Sequence, residues 1–299
     1  MMTILEELKK KFKNRLLFKE NLAKYTWFNT GGNAEVFFKP DNQEDLVFFL
    51  RKVQPKKITI LGAGSNTLIR DGGIDGITIK LGSGFSFTNL TSDGFIEAGG
   101  ASLDKKVADF AAENSIAGLE FLACIPGSIG GAIIMNSGCY DQDISKVLNS
   151  ITVIKKNGDE KIIQAKDIKF KYRGTNFVED FLITKVRLKG NKSSKSEILA
   201  KQKYLVSKKK EAQPTRIKTC GSTFKNTQDK KAWELIKQSG CDNFRVGSAR
   251  ISEKHCNFFI NEGQATAKDL EELITKVQQT VLEKTKISLE PEIKIIGKY

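Results

Sequence analysis

The sequence predicts an α+β protein of more than one domain. Short strand-like alternations of apolar and polar residues are interspersed with longer runs of helical spacing. The chain has 299 residues, against roughly 150 for an average domain. Its 25 glycines against 5 prolines, with 39% hydrophobic residues, indicate tight turns in a packed protein rather than disordered linkers.

Taken in order, Ile4, Leu8, Phe12 and Leu16 fall on one face of a first helix. With charges scattered through it, that segment does not read as a secretory signal. In TWFNTGGNAEVFFKP a Gly31-Gly32 turn leads into a strand ended by Pro40. DNQEDLVFFLRKV has helical spacing behind an Asp41 cap. KKITILGAGSNTLI reads as a buried strand running into a glycine turn, GITIKL and FIEAGG as short strands, and SLDKKVADFAAEN as a helix capped by Ser102. Residues 116–135 approach the length of a membrane span, but Glu120, Pro126 and four glycines make them a buried, glycine-rich bend. SITVIKKNGDEKIIQA is a hairpin turning at Asn157-Gly158, and FLITKVRLKG is a further strand. The polar run 189–197 reads as a linker. A lysine-rich helix follows at 196–211, then helices near 230–239 and 266–285 and strand-like ARISEKHCNFFIN and EIKIIGKY.

The net charge of +14 fits nucleic acid or an anionic ligand equally. Apart from Lys208–Lys210 much of the excess is scattered and no nucleic-acid motif accompanies it, so a solvated surface with no nucleic-acid partner is the expectation. The five cysteines, at 124, 139, 220, 241 and 256, are odd in number and contain no C-x-x-C pair. Free thiols in a reducing, cytoplasmic compartment follow. With His255 the only histidine, no metal site is expected, and no membrane association.

LGAGSNTLIR and CIPGSIGGAIIMNSG carry the strongest chemical signal. Glycines let the backbone approach a phosphate closely, with successive amides facing the anion. Thr67 stands where a G-x-G-x-x-G fingerprint needs glycine, which excludes a Rossmann site. Taken singly, each loop is also explained as a structural turn or a closely packed bend.

With NTGG ahead of them, the two loops resemble the FAD-binding domain of the vanillyl-alcohol-oxidase (PCMH) type. Together with FKYRGTNF at 170–177, CGSTFKN at 220–226 and LEPEIKIIG at 289–297, they resemble the UDP-N-acetylenolpyruvoylglucosamine reductase family along nearly the whole chain. The resemblance implies an FAD-binding domain in two lobes, 1–80 with the N-terminal helix and 81–192, then a C-terminal α+β substrate-binding domain, 193–299. It implies FAD held by its diphosphate on Gly62, Ala63, Gly64, Ser65, Asn66 and Thr67 and on Ile125, Pro126, Gly127, Ser128, Gly130, Gly131, Ala132, Asn136 and Gly138. The isoalloxazine would lie at the boundary with the C-terminal domain.

The implied activity is reduction of UDP-N-acetyl-3-O-(1-carboxyvinyl)glucosamine to UDP-N-acetylmuramate in peptidoglycan precursor synthesis. The resemblance also implies NADPH as the co-substrate, which would reduce FAD and leave before the UDP-sugar binds. The short span between Arg173 and Ser222 resembles the subclass without an extra tyrosine-bearing loop; a monomer is favoured. The alternative is another FAD-dependent oxidoreductase of the same fold acting on a sugar or alcohol, against which Ser222 and Glu292 in their matching segments speak.

Hydride delivery to the β-carbon of an enolpyruvyl ether leaves negative charge on the α-carbon and its carboxylate. The reaction therefore needs a proton donor and cationic or hydrogen-bonding groups. The family's donor maps to Ser222 and its carboxylate-binding residues to Arg173 and Glu292. Arginine suits bidentate carboxylate binding; a surface ion pair is the plain alternative. Serine is a poor acid alone and needs a neighbour, for which Lys225 is near in sequence; a turn serine after Gly221 is the alternative. Glu292 donates only when protonated, which burial favours, and Glu290 is its rival on the same strand face. Tyr172, Lys210 and Asn226 match positions around the UDP-sugar, with Lys208 and Lys209 beside Lys210. His255 matches a segment lining the substrate domain, with packing or capping as the equal alternative.

Overall fold

The computed structural model describes residues 2–55, 57–177 and 181–299. The chain forms two compact units and passes between them repeatedly. The first comprises residues up to Phe18, Val36–Ala63 and Gly76–Lys209; the second comprises Lys19–Glu35, Gly64–Asp75 and Lys210–Tyr299.

In the first unit, helix α1 (Met2–Phe12) buries Leu5, Leu8 and Phe12. Leu16 is buried too, but on the following strand, and Ile4 is 40% exposed. The expected Ile4-to-Leu16 stripe is thus broken because the helix ends at Phe12, with Lys13 at φ 49°. Helix α2 (Gln43–Val53) is capped by Asn42, whose side chain accepts from Asp45 N, rather than by Asp41. Phe12, Phe38 and Phe49 then form an aromatic core, with centroids 4.8 Å apart for Phe12–Phe38 and 4.0 Å for Phe38–Phe49. Burial of such rings is among the larger single contributions to stability. Behind them a four-stranded sheet runs in the order Leu16–Asn21, Asn33–Phe38, Ile74–Ile79, Ile58–Ile60.

A second sheet in this unit has the order Glu160–Gln164, Leu148–Lys155, Phe181–Leu188, Ile96–Gly99, Thr88–Leu90, every neighbour antiparallel. The Asn157-Gly158 hairpin forms as expected, Gly158 taking φ +85°. Helix α3 (Asp104–Glu113) and the short helix α4 (Ile129–Ile134) share a core with this sheet through Val107, Ala108, Ala111, Ile129 and Ile133. Leu103 occupies the N-cap position of α3, while Ser102 Oγ donates instead to Phe87 O at 2.8 Å.

The run expected as a linker is structured. Asn191–Lys192 pair with Ile116–Ala117, and helix α5 (Lys195–Ala212) buries Ile198, Gln202 and Leu205. Gln202 Nε2 donates to Ala108 O at 2.9 Å and Lys201 pairs with Glu120 at 3.4 Å. Most of α5 therefore belongs to the first unit, although the composition of 189–197 suggests a boundary before it. Polar side chains hold it there, and a hydropathy pattern does not reveal such contacts.

The second unit is built around helix α7 (Ala267–Thr285), whose Leu270, Leu273, Ile274, Val277 and Val281 are buried with α6 (Ala232–Gln238), Phe28 and Leu68. Its start is closed twice. Thr266 and Asp269 form a reciprocal capping box, and the Asp71 carboxylate accepts from Ala267 N and Lys268 N, each at 2.9 Å. Arg70 grips Glu271 bidentately at 2.9 and 2.7 Å. Ala249–Ile251 and Phe259–Asn261 are neighbouring strands of a three-stranded sheet, and Lys294–Ile296 pairs in parallel with Thr67–Ile69. No helix of the described residues is long and apolar enough to cross a membrane.

Candidate active site

The first unit holds Gly62, Ala63 and the whole second glycine loop. The second loop begins where the 3-10 turn Glu120–Cys124 ends and is pinned by main-chain bonds. Gly127 O accepts from Asp104 N at 3.1 Å, Ile129 N donates to Ser102 O at 2.9 Å, and Gly130 N donates to Gly100 O at 3.0 Å. A Cβ at Gly130 would stand 2.9 Å from Gly100 O, so the residue must be glycine for this approach. A Cβ at Gly62 would come 3.0 Å from the buried Ser128 hydroxyl, which places the end of the first loop against the second. Lys80 Nζ donates to Gly62 O, and burial lowers its affinity for a proton.

Gly64, Ser65, Asn66 and Thr67 belong to the second unit. Gly64 has φ +70°, and a Cβ there would run into the Tyr25 carbonyl. Trp27 N donates to Gly64 O at 3.0 Å. Asn66 Nδ2 donates to Glu292 O at 3.1 Å and Asn66 O accepts from Lys294 N at 2.9 Å, so this asparagine ties the loop to the segment of Glu292 that leads into the strand Lys294–Ile296. Among the described residues, the amides of Gly62, Ala63, Ser65 and Asn66 donate to no protein acceptor. Within the first unit, the open amides of Gly62 and Ala63 on a glycine turn, with Ser128 and Lys80 beside Gly62, fit the phosphate of a flavin dinucleotide.

Arg173 occupies a two-residue turn between Phe170–Lys171 and Gly174–Thr175 with φ 54°, a region non-glycine residues seldom adopt. Its guanidinium donates to Gly138 O at 3.1 Å and lies 5.0 Å from the exposed Tyr172 ring. Asn136 is buried and bonded on both sides, Oδ1 accepting from Ser145 N at 3.0 Å and Nδ2 donating to Lys171 O at 3.3 Å. It holds the loop to the Arg173 turn, and Ile125, Pro126, Gly131 and Ala132 complete the loop between.

Ser222 follows Gly221, which takes φ +80°, and forms an isolated bridge to Phe258. Thr223 N donates to Asn257 O at 2.8 Å, and Asn257 closes both main-chain groups of Phe224, at 2.9 and 2.8 Å. Glu292 N donates to Thr223 O at 2.8 Å, so the Ser222 and Glu292 segments lie side by side in the second unit. Glu292 is half-buried, whereas Glu290 is 72% exposed and bound to Lys225 Nζ at 2.5 Å. That ion pair occupies the lysine considered above as a neighbour of Ser222.

Asn226 Oδ1 accepts from Ala232 N at 3.0 Å. Lys210 is exposed, and its carbonyl accepts from Lys254 Nζ at 2.6 Å. His255 packs against Phe258 and Trp233, accepts from Asn257 N at 3.3 Å, and is held below the usual imidazole range by burial. Its surroundings are those of a packed, capping histidine.

Three residues near the loops escape a reading of the sequence. Lys80 is one. Lys209, half-buried, donates to Cys124 O, and burial lowers its proton affinity. Asp104 is wholly buried with neither carboxylate oxygen bonded among the described residues, and burial pushes it far above the usual carboxylate range. None lies in a motif, and burial of a charged side chain leaves no periodic trace in sequence.

Residues 213–296 match a family model described as UDP-N-acetylenolpyruvoylglucosamine reductase, C-terminal domain, and residues 34–163 one described as FAD binding domain. The chain is 48% identical over 299 residues to a UDP-N-acetylenolpyruvoylglucosamine reductase of Pelagibacter ubique, covering 98% of this chain and 99% of that protein. It is 47% identical to one of Rickettsia bellii, covering 93% and 92%. Among solved structures it is similar to the UDP-N-acetylenolpyruvylglucosamine reductase of Thermus caldophilus, with a TM-score of 0.82 at 31% identity, over 94% of this chain and 97% of that one.

Proposed function

Since the chain belongs to the UDP-N-acetylenolpyruvoylglucosamine reductase family, we propose that it reduces UDP-N-acetyl-3-O-(1-carboxyvinyl)glucosamine to UDP-N-acetylmuramate with NADPH and FAD. The observation that carries the assignment of roles is the seating of Ser222 beside Glu292, fixed by the bond from Glu292 N to Thr223 O at 2.8 Å. Bound FAD supplies the hydride that passes from NADPH to the enolpyruvyl β-carbon.

The protein's own groups then have three tasks. Ser222 Oγ hands a proton to the α-carbon. Arg173 binds the carboxylate on which charge develops, and its turn is pre-set by Gly138 and Asn136, so little rearrangement accompanies binding. Glu292, half-buried, supplies a hydrogen bond to the developing enolate when protonated. Tyr172, Asn226 and Lys210 contact the UDP-sugar, and the amides of both glycine loops hold the FAD diphosphate.

The test is anaerobic. The holoenzyme is reduced with NADPH, freed of nucleotide, and mixed with the enolpyruvyl UDP-sugar while flavin absorbance is followed. Rapid reoxidation with formation of UDP-N-acetylmuramate is expected; a flavin that stays reduced would overturn the assignment.

A further inference from the structure

Two of the five cysteines stand at the two ends of the second glycine loop. Cys124 ends the turn Glu120–Cys124, and Cys139 lies on the short strand Gly138–Cys139 that packs on that turn. Cys139 Sγ reaches the turn's own Phe121 O at 3.4 Å, which seats the Cys139 thiol against the turn that Cys124 ends. Both are free thiols, with Cys139 partly exposed and Cys124 nearly covered. The Lys209 ammonium is bound to Cys124 O, so a fixed cation stands beside the pair. We propose that Cys124 and Cys139 form a reversible disulfide on reaction with hydrogen peroxide, closing residues 125–138 into a covalent loop.

Each bond in the step balances. The Cys124 thiolate attacks one peroxide oxygen, the O–O bond breaks, and the leaving hydroxide takes a proton to become water. The sulfenic acid so formed is attacked by the Cys139 sulfur, which displaces the hydroxyl as a second water and forms the S–S bond. Two thiols are oxidised and one peroxide is reduced. The hydrogen bond from Cys139, with Lys209 behind it, holds the Cys124 thiol below the ordinary range, while Cys139 is pushed above it. The division of roles follows, because the thiolate is the nucleophile.

The other three cysteines lack this arrangement. Cys220 is buried behind the first loop, where it donates to Thr67 O at 3.4 Å and burial raises it to about 12. Burial also raises Cys241 and Cys256, whose thiols are bonded to the carbonyls of Ser239 and Trp233. Selective oxidation of one pair among five is therefore the expected chemistry. In a reducing compartment the bond would be transient, a mark of oxidant exposure rather than a structural staple. Because the closed loop carries Gly127, Ser128, Gly130 and Gly131, the cross-link would also slow release of bound FAD, a consequence that rests on the functional reading above.

The test uses the full-length holoenzyme, reduced, desalted and treated with one equivalent of hydrogen peroxide, then alkylated and digested without reductant. A Cys124–Cys139 linked peptide as the main product is expected, with dithiothreitol restoring both thiols. Cys139→Ser should leave a sulfenic acid on Cys124 that dimedone traps, and Cys124→Ser should leave Cys139 unmodified under the same treatment. Cross-links confined to other cysteines, or equal alkylation of all five thiols, would overturn the proposal. Oxidised wild-type protein should lose FAD several-fold more slowly than reduced protein, and oxidised Cys139→Ser should show no such change. An unchanged release rate with the bond formed overturns the cofactor lock. A chain that forms the bond but binds no FAD overturns the functional reading and leaves the thiol chemistry standing.

Discussion

The second glycine loop and the Ser222 segment are both turns that present reactive groups, yet they are held by opposite means. The loop is fixed by backbone against backbone, with Gly130 touching Gly100 and Ile129 bonded to Ser102, and it offers mainly amides. The Ser222 segment is fixed by one side chain, Asn257, which satisfies both main-chain groups of Phe224, and by the neighbouring Glu292 segment; together they offer a hydroxyl and a carboxyl. Binding a diphosphate needs close approach, which only a missing Cβ permits. Moving a proton needs a side chain in a set orientation, which a hydrogen-bonded segment provides.

The sharpest test of that contrast is Ser222→Ala. It should lower the rate of flavin reoxidation by enolpyruvyl substrate by about 10²- to 10⁴-fold while leaving reduction by NADPH intact. An equal loss in both half-reactions would mean that Ser222 shapes the fold rather than moves the proton. Gly64→Ala attacks the opposite kind of construction. With φ +70° and the Tyr25 carbonyl in the way, it should cost about 2–4 kcal/mol by thermal unfolding and weaken FAD retention together with stability.

Asp104 probes the backbone-built region through pH. Burial raises its folded-state pKa, so its contribution to stability is full below the ordinary carboxylate range. That contribution is lost as pH rises from there through the folded value, at a limiting slope of about 1.4 kcal/mol per pH unit. Asp104→Asn should flatten denaturant midpoints between acid and neutral pH and raise stability at neutrality by about 1–2 kcal/mol. A variant that follows the wild-type pH curve would show that the carboxyl is solvated in solution. The smallest effect belongs to Glu290→Gln. Its partner Lys225 lies 2.5 Å away but Glu290 itself is 72% exposed, so stability should change by less than about 1 kcal/mol. Turnover should change little, in contrast to Glu292→Gln, which should lose activity strongly.

Much of this was legible in the sequence because it rests on local chemistry. Asn157-Gly158 declares its turn through residue type alone, and both glycine loops stand where their motifs put them. What the sequence hid was non-local. Helix α5 reads as the opening of a new domain, but Gln202 and Lys209 attach it to the first unit through carbonyls of Ala108 and Cys124. Lys80, Lys209 and Asp104 are charged residues whose burial depends on neighbours far away in the chain. The interleaving of the units has the same origin, since the partner of Thr67–Ile69 is Lys294–Ile296.

That parallel pairing also dictates an order of events during synthesis. Thr67–Ile69 leaves the ribosome early and must wait for most of the polypeptide to be made before its partner strand emerges, on the order of ten seconds or more at usual elongation rates. In the first unit, the strands Leu148–Lys155 and Phe181–Leu188 find each other from nearby stretches of the nascent chain. The second unit therefore matures last. Throughout that interval, chaperones are most needed by the segments of Phe28 and Leu68, apolar residues whose burial waits on helix α7.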